Sequence, residues 1–265
     1  MEFKKKVAII TGSNQGIGKE LARQLGLAGA KVVINGRNNE KLIKVQEEFN
    51  NLNIESLPIN GDISDIRFCE SLISRTMEYY GQLDILINNA GMDAKGPLEE
   101  MDPEVFKKII EINLLGSSYT SKFAIPHLRQ SKGSIMMVSS LAGIHGLPYH
   151  SSYSTSKKAL TALTESLRVE LHESGIHVGI AYVGFTETDS KKAIYNEEGQ
   201  LETLKKRNNV KVTPLPVTAD KILRQIRSRK KASYHSTLGQ LNRFMYRIYP
   251  PFIEYFLKRS LDKFK

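Results

Sequence analysis

The chain has 265 residues, 40% of them hydrophobic, and a formal net charge of +10. That length gives one α/β domain with enough chain for a full core, and no Gly/Ser linker, repeat or low-complexity tract divides it. The lone cysteine, Cys69, excludes an intrachain disulfide and fits a reducing compartment.

The basic start, Met1 to Lys6, is followed by an apolar run too short for a signal peptide, and no stretch is apolar for long enough to span a bilayer. A cytoplasmic protein is expected. Val7-Ala8-Ile9-Ile10 reads as a buried strand, and Ile17, Leu21 and Leu25 repeat at helical spacing. Between them lies Thr11-Gly12-Ser13-Asn14-Gln15-Gly16-Ile17-Gly18, a strand–glycine loop–helix unit. Glycine lets the backbone turn tightly and approach a ligand, and the free N–H groups at a helix start attract a pyrophosphate. The spacing Gly-x-x-x-Gly-x-Gly differs from the usual dinucleotide fingerprint, but the mechanism is the same. Gly12, Ser13, Gln15, Gly16, Ile17 and Gly18 are therefore candidate cofactor-binding residues.

A second strand, Lys31 to Asn35, ends in Gly36-Arg37-Asn38. An acid at this place bonds the ribose 2′-hydroxyl of NAD, whereas an arginine accommodates the 2′-phosphate of NADP. Arg37 and Asn38 thus predict NADP(H). A helix is expected over residues 65–80, with Cys69 as a packing residue, followed by a strand at Leu83-Asp84-Ile85-Leu86-Ile87. Further on, Tyr153 and Lys157 stand four residues apart in a helical segment, with Ser140 thirteen residues before the tyrosine. Positions i and i+4 share a helix face. An ammonium beside a phenol favours its ionised form, and such a tyrosine can exchange a proton with an alcohol or carbonyl.

Together these residues resemble the short-chain dehydrogenase/reductase family. Thr11-Gly12-x-x-x-Gly16-Ile17-Gly18 is similar to its cofactor loop and Asn88-Asn89-Ala90-Gly91 to its central motif. Asp62, in Gly61-Asp62-Ile63, is similar to the acid that holds the adenine amino group, and Asn113, Ser140, Tyr153 and Lys157 match the catalytic tetrad in order and spacing. The resemblance spans roughly residues 5–190 and implies one Rossmann-type, doubly wound parallel sheet flanked by helices. It implies Tyr153 as general acid or base, Lys157 on the tyrosine and the nicotinamide ribose, Ser140 polarising the carbonyl, and Asn113 holding a water behind Lys157. Ser139 is the alternative to Ser140, and Asn113 has the alternative of capping or kinking its helix. Ile63, Asn89, Ala90 and Gly91 join the cofactor set, as do Gly184, Thr186 and Thr188, which border the nicotinamide in the family. The usual Pro-Gly after the sixth strand is Val183-Gly184 here, a pattern found in the hydroxysteroid-dehydrogenase-like branch.

The six histidines show no metal-ligand spacing, and no metal is expected. His127, His145 and His150 fall near the expected entrance, where His145 and His150 either line the pocket or are loop residues. Residues 186–216 are polar, lack a clear strand, and correspond to the family's substrate lid. The catalytic domain is expected over 1–220 and a basic helical extension over 221–265. That extension holds twelve Lys/Arg against Glu254 and Asp262, so it carries the entire excess charge. Pro250-Pro251 divides it into two helical pieces rich in Tyr and Phe. Such a tail either lies on an anionic membrane or packs on the core or a partner subunit. It shows no nucleic-acid module, and a basic stripe alone is nonspecific.

The expected activity is interconversion of a ketone and a secondary alcohol with NADP(H), on an apolar lipid- or steroid-like substrate. A 3-oxoacyl thioester reductase and a non-catalytic NADP(H) sensor are the alternatives. The resemblance also implies a homo-oligomer, dimer or tetramer, paired through the helices carrying Asn113 and Tyr153. Ala159, Leu160, Leu163 and Leu167 are available for that contact or for the chain's own sheet.

Overall fold

A computed structural model describes residues 3–187, 193–203 and 212–264. The strand–helix alternation begins with β1 (Val7–Ile10), α1 (Gly16–Leu27), β2 (Lys31–Gly36), α2 (Asn39–Asn51), β3 (Ser56–Asn60) and α3 (Ile66–Tyr80). It continues with β4 (Ile85–Asn88), α4 (Pro103–Ile110), α5 (Gly116–Ser131), β5 (Ser134–Ser140), α6 (Ser151–Glu170) and β6 (His177–Val183). A hairpin, β7 (Ala193–Tyr195) with β8 (Leu201–Thr203), precedes α7 (Leu215–Arg227), β9 (Ala232–Tyr234), α8 (Thr237–Ile248) and α9 (Pro250–Arg259).

The main sheet runs β3-β2-β1-β4-β5-β6-β9, and every pairing in it is parallel. A parallel sheet is covered on both faces, so its strands are apolar throughout, and alternation assigns each residue to one side. Ala8, Ile10, Val32, Ile34, Ile85 and Ile87 join Leu21 and Leu25 of α1, Phe49 of α2 and Ile222 of α7 in one core. Ile9, Val33 and Leu86 turn to the other side, against Leu72 of α3, Leu128 of α5 and Leu160 and Leu167 of α6. Leu163 packs against that second core. These leucines of α6 therefore pack on the chain's own sheet.

Winding reverses between β1 and β4. In open parallel sheets the crevice outside the strand ends at such a reversal is the binding place. Capping follows the sequence: Asn38 caps α2 by accepting from Lys41 N at 2.8 Å, and Asp65 caps α3 by accepting from Arg67 N at 2.8 Å. Cys69 is fully buried, its thiol pushed up to about 12 chiefly by burial.

Two boundaries differ from expectation. The segment expected to lack strands contains the β7–β8 hairpin, short enough that its alternation is lost among polar neighbours. The division at residue 220 falls inside α7, and β9 then completes the main sheet beside β6. The part outside the sheet layers is α8 and α9.

Candidate active site

The crevice is floored by the loop after β1. Gly12 has φ +63°, and a Cβ there would lie 2.8 Å from Ala90 Cα, so only glycine lets the β1 and β4 loops meet. Gly16 has φ +57° and no protein atom within 4 Å of a Cβ position, so its open side faces outward. Thr11 Oγ1 accepts from Asn89 N and Ala90 N, both at 3.0 Å. The Asn89 amide donates to Thr11 O at 2.9 Å and Gly12 O at 3.1 Å. Gln15, the N-cap of α1, makes no side-chain cap bond. A close-approach loop leading into a helix start suits a pyrophosphate, so these residues fit a dinucleotide.

Several expected contacts have other duties. Ser13 is fully buried; its hydroxyl donates to Ile10 O at 2.7 Å and accepts from Asn35 N at 2.9 Å. It shapes the loop from below. Asn38 uses its side chain on the α2 cap. Ile63 is buried against Gly116, and its carbonyl accepts from the Cys69 thiol at 3.1 Å. Arg37, exposed at the end of β2, pairs with Asp62 at 3.4 Å. Lys41 Nζ donates to Gln15 Oε1 at 2.9 Å across the rim of the same loop. Ile17 is partly buried and packs against the core of the α1 face.

The catalytic candidates converge at the carboxyl ends of β4 and β5. Asn113 sits in a π-helical turn, Glu111–Leu115, between α4 and α5. Such turns are rare and are frequent at functional sites. Asn113 is fully buried; Oδ1 accepts from Met92 N at 2.8 Å, while Nδ2 donates to Met92 O at 2.8 Å and Ser156 Oγ at 2.9 Å. The two readings of Asn113 merge, since it lies at a distortion of its helix and also reaches into the site.

On α6, Lys157 follows Tyr153 by one turn. Its Nζ lies 5.8 Å from the Tyr153 ring centre and donates to Val138 O at 3.0 Å. Lys157 is buried, whereas Tyr153 is partly exposed. A Cβ on Gly91 would stand 3.1 Å from both Asn113 Oδ1 and Lys157 Nζ, so the glycine gives these two groups their meeting place.

The two serines are placed differently. Ser139 is buried, and its hydroxyl donates to Lys157 O at 3.0 Å, stitching β5 to α6. Successive strand side chains point oppositely, and Ser140 is left partly exposed at the strand end, its Oγ accepting from Ala142 N at 3.2 Å. Gly184 follows β6, where Val183 is in register with Ser140, and a Cβ there would meet no protein atom closer than 3.6 Å. Thr186 Oγ1 lies 3.3 Å from Gly184 O and 3.1 Å from Thr218 Oγ1. Thr188 lies outside the described residues.

Around the cleft, His150 Nδ1 lies 3.1 Å from Asp93 Oδ1, and His145 Nε2 accepts from the Asn242 amide of α8 at 2.6 Å. Both histidines are buried participants and not free loop residues. His127 is elsewhere: it lies in the half of α5 that ends at Ser131, whose hydroxyl donates to Leu83 O just before β4, at the strand ends opposite the crevice. Tyr149 holds φ +60°, unusual for a bulky residue, and its carbonyl accepts from Gly96 N at 2.9 Å. The β7–β8 hairpin docks here through Tyr195 N donating to Asp93 O at 3.0 Å and Lys95 N donating to Tyr195 O at 2.9 Å.

Sequence reasoning missed Asn35. Its buried amide donates to Ile59 O at 3.0 Å and Gly61 O at 3.2 Å, joining β2 to the end of β3 beneath the crevice. An asparagine closing a run of β-branched residues was the available signal. Among the described residues no cluster of His, Cys, Asp and Glu is arranged to hold a metal ion, and no helix is long and apolar enough to cross a membrane.

Residues 6–199 match the family model described as short chain dehydrogenase. An uncharacterized oxidoreductase of Thermotoga maritima is 38% identical over 194 residues, 73% of this chain and 76% of that protein. The 11-beta-hydroxysteroid dehydrogenase-like 2 of Arabidopsis thaliana is 39% identical over 194 residues, 72% of this chain and 63% of its own length. The chain therefore spans less than two thirds of that plant relative. The crystal structure of a short chain dehydrogenase/reductase from Burkholderia phymatum in complex with NAD superposes with a TM-score of 0.83. It is 21% identical and covers 93% of this chain and 95% of its own, a likeness of fold.

Proposed function

We propose that this chain, which belongs to the short-chain dehydrogenase family and is an oxidoreductase of CH–OH groups, uses NADP(H) to interconvert a ketone and a secondary alcohol. The substrate in this reading is apolar and lipid- or steroid-like. The observation that carries it is the meeting of Asn113 and Lys157 at Gly91, with Tyr153 one helical turn away and Ser140 at the adjoining strand end. A nicotinamide cofactor, when bound, supplies or accepts the hydride.

The chain's own groups handle position and protons. The Tyr153 hydroxyl gives a proton to the carbonyl oxygen in reduction and takes one from the alcohol in oxidation. The Lys157 ammonium, anchored on Val138 O, favours the phenolate that remains. Ser140 offers a hydroxyl to the same substrate oxygen as charge develops on it. Asn113 fixes Met92 and Ser156, and so the walls between β4 and α6.

NADP(H) is supported by the end of β2, where Gly36-Arg37-Asn38-Asn39 offers a cation and no acid. Lys41, close by on the loop rim, adds a second cation. The apolar substrate class is supported by the plant relatives named for hydroxysteroid dehydrogenases and by the Val183-Gly184 pair.

Purified protein assayed for NADPH oxidation across small ketones, long-chain 3-ketoacyl thioesters and steroid-sized ketones tests the proposal. Selective turnover of bulky free ketones supports it. Preference for thioesters overturns the substrate class, tighter binding of NADH than NADPH overturns the cofactor, and NADPH binding without any turnover points to the sensor.

A further inference from the structure

The last two helices have two apolar sides where the fold uses one. The inner side of α8 is engaged: Asn242 bonds His145, the Tyr246 ring lies 5.7 Å from the His145 ring, and Arg243 lies over Tyr234 at 4.7 Å. The outer side repeats Leu241, Phe244 and Ile248 at i, i+3 and i+7, which are 58%, 61% and 63% exposed. α9 has no buried residue, and it presents Phe252, Tyr255 and Phe256. These rings cluster, with Phe252 and Phe256 centred 4.7 Å apart.

Contiguous exposed apolar surface of this kind marks an interaction site. Its rim identifies the partner. Arg247, Lys258 and Arg259 lie exposed on α8 and α9, with Arg259 over the Tyr255 ring at 4.9 Å. Glu254 and Asp262 are the only acids after residue 220. A second copy laid on the same face by a twofold axis would bring these cations against their own kind, which costs free energy. An anionic lipid surface offers opposite charge to the rim and an apolar layer to the rings.

We propose that the outer face of α8 and α9 docks on an anionic lipid surface. The binding does not depend on the redox reading and is measured without turnover.

The test is flotation of the full chain with vesicles of phosphatidylcholine alone and of equimolar phosphatidylcholine and phosphatidylglycerol. The protein is expected to float with the anionic vesicles only, and progressively less as salt screens the charges. Arg247→Gln with Lys258→Gln should weaken binding about thirtyfold, from about 1 kcal/mol per cation at such a surface. Phe244→Ser with Phe256→Ser should weaken it more than about tenfold, from the lost apolar burial. Melting curves matching the unaltered protein establish that the variants fold, and the salt response of the unaltered protein needs no variant. Equal flotation on both vesicles, or none on either, overturns the proposal. So does vesicle-free self-association that the Phe244→Ser, Phe256→Ser protein loses, because the face would then belong to a second copy.

Discussion

Two glycines of the first loop have similar backbones and opposite surroundings, so alanine should affect them differently. Both hold positive φ, +63° at Gly12 and +57° at Gly16, and a Cβ in that region costs about 1–2 kcal/mol. At Gly16 nothing else is added, since no protein atom lies within 4 Å of the new carbon. At Gly12 the carbon would lie 2.8 Å from Ala90 Cα, well inside ordinary contact, and both sides are backbone. Forcing them apart adds about 1–3 kcal/mol of overpacking. Gly12→Ala should therefore lose about 2–5 kcal/mol, a fall in Tm of roughly 5–15 °C for a chain of this size, against roughly 2–6 °C for Gly16→Ala. Gly16→Ala nevertheless fills the space in which a dinucleotide would lie. It should weaken NADPH binding more than about tenfold, or 1.4 kcal/mol. Thermal unfolding and calorimetric NADPH titration separate the two effects. A stable Gly16→Ala protein with undiminished affinity, or a Gly12→Ala protein no less stable than Gly16→Ala, would refute the reasoning.

Tyr153→Phe should abolish turnover and leave NADPH affinity within a few-fold; retained turnover removes the tyrosine from the proton path. Ser140→Ala should lower kcat by about 10²–10³ with little change in Tm, whereas Ser139→Ala should cost about 1 kcal/mol of stability through its lost bond to Lys157 O; the reverse pattern would exchange their roles. Burial lowers the His235 imidazole to about 4, with Lys221 assisting. Its folded pKa is below the unfolded one, so stability holds above about pH 6.5 and falls as the unfolded chain takes up a proton between there and about 4. The full loss is roughly 3 kcal/mol. His235→Gln should flatten the change in Tm between about pH 6.5 and 5, and an unaltered slope would assign the pH response to other groups.

β1, β2 and β4 were legible because each is a short apolar run rich in β-branched residues or leucine that leads into a glycine- or asparagine-containing turn. The loop of Gly12, Gly16 and Gly18 and the pair Tyr153–Lys157 were legible because their chemistry depends on spacing along one element. What sequence hid depends on contacts across elements. Ser13 looks like any polar loop residue until Asn35 N and Ile10 O are found on its hydroxyl. Ser139 and Ser140 are equivalent in sequence, and only the distance to Lys157 O separates them. β9 is three residues long among cations, and it becomes a strand by adding Ala232, Ser233 and Tyr234 beside β6. Its Tyr234 stacks on Tyr182 at 4.6 Å, a long-range contact with no local signature.

The Asn113 side chain, bonded to both the N–H and the C=O of Met92, acts as a surrogate peptide group and adds one rung beyond the end of β4. The next residue, Asp93, gives its carbonyl to Tyr195 of the β7–β8 hairpin. One short piece of backbone is thus gripped by the π-helical turn on one side and by the β7–β8 hairpin on the other. A displacement of the hairpin would be transmitted through Asp93 and Met92 to the Asn113 amide. A carboxylate at position 113, though the same shape, would lose the donor of that rung and loosen the grip.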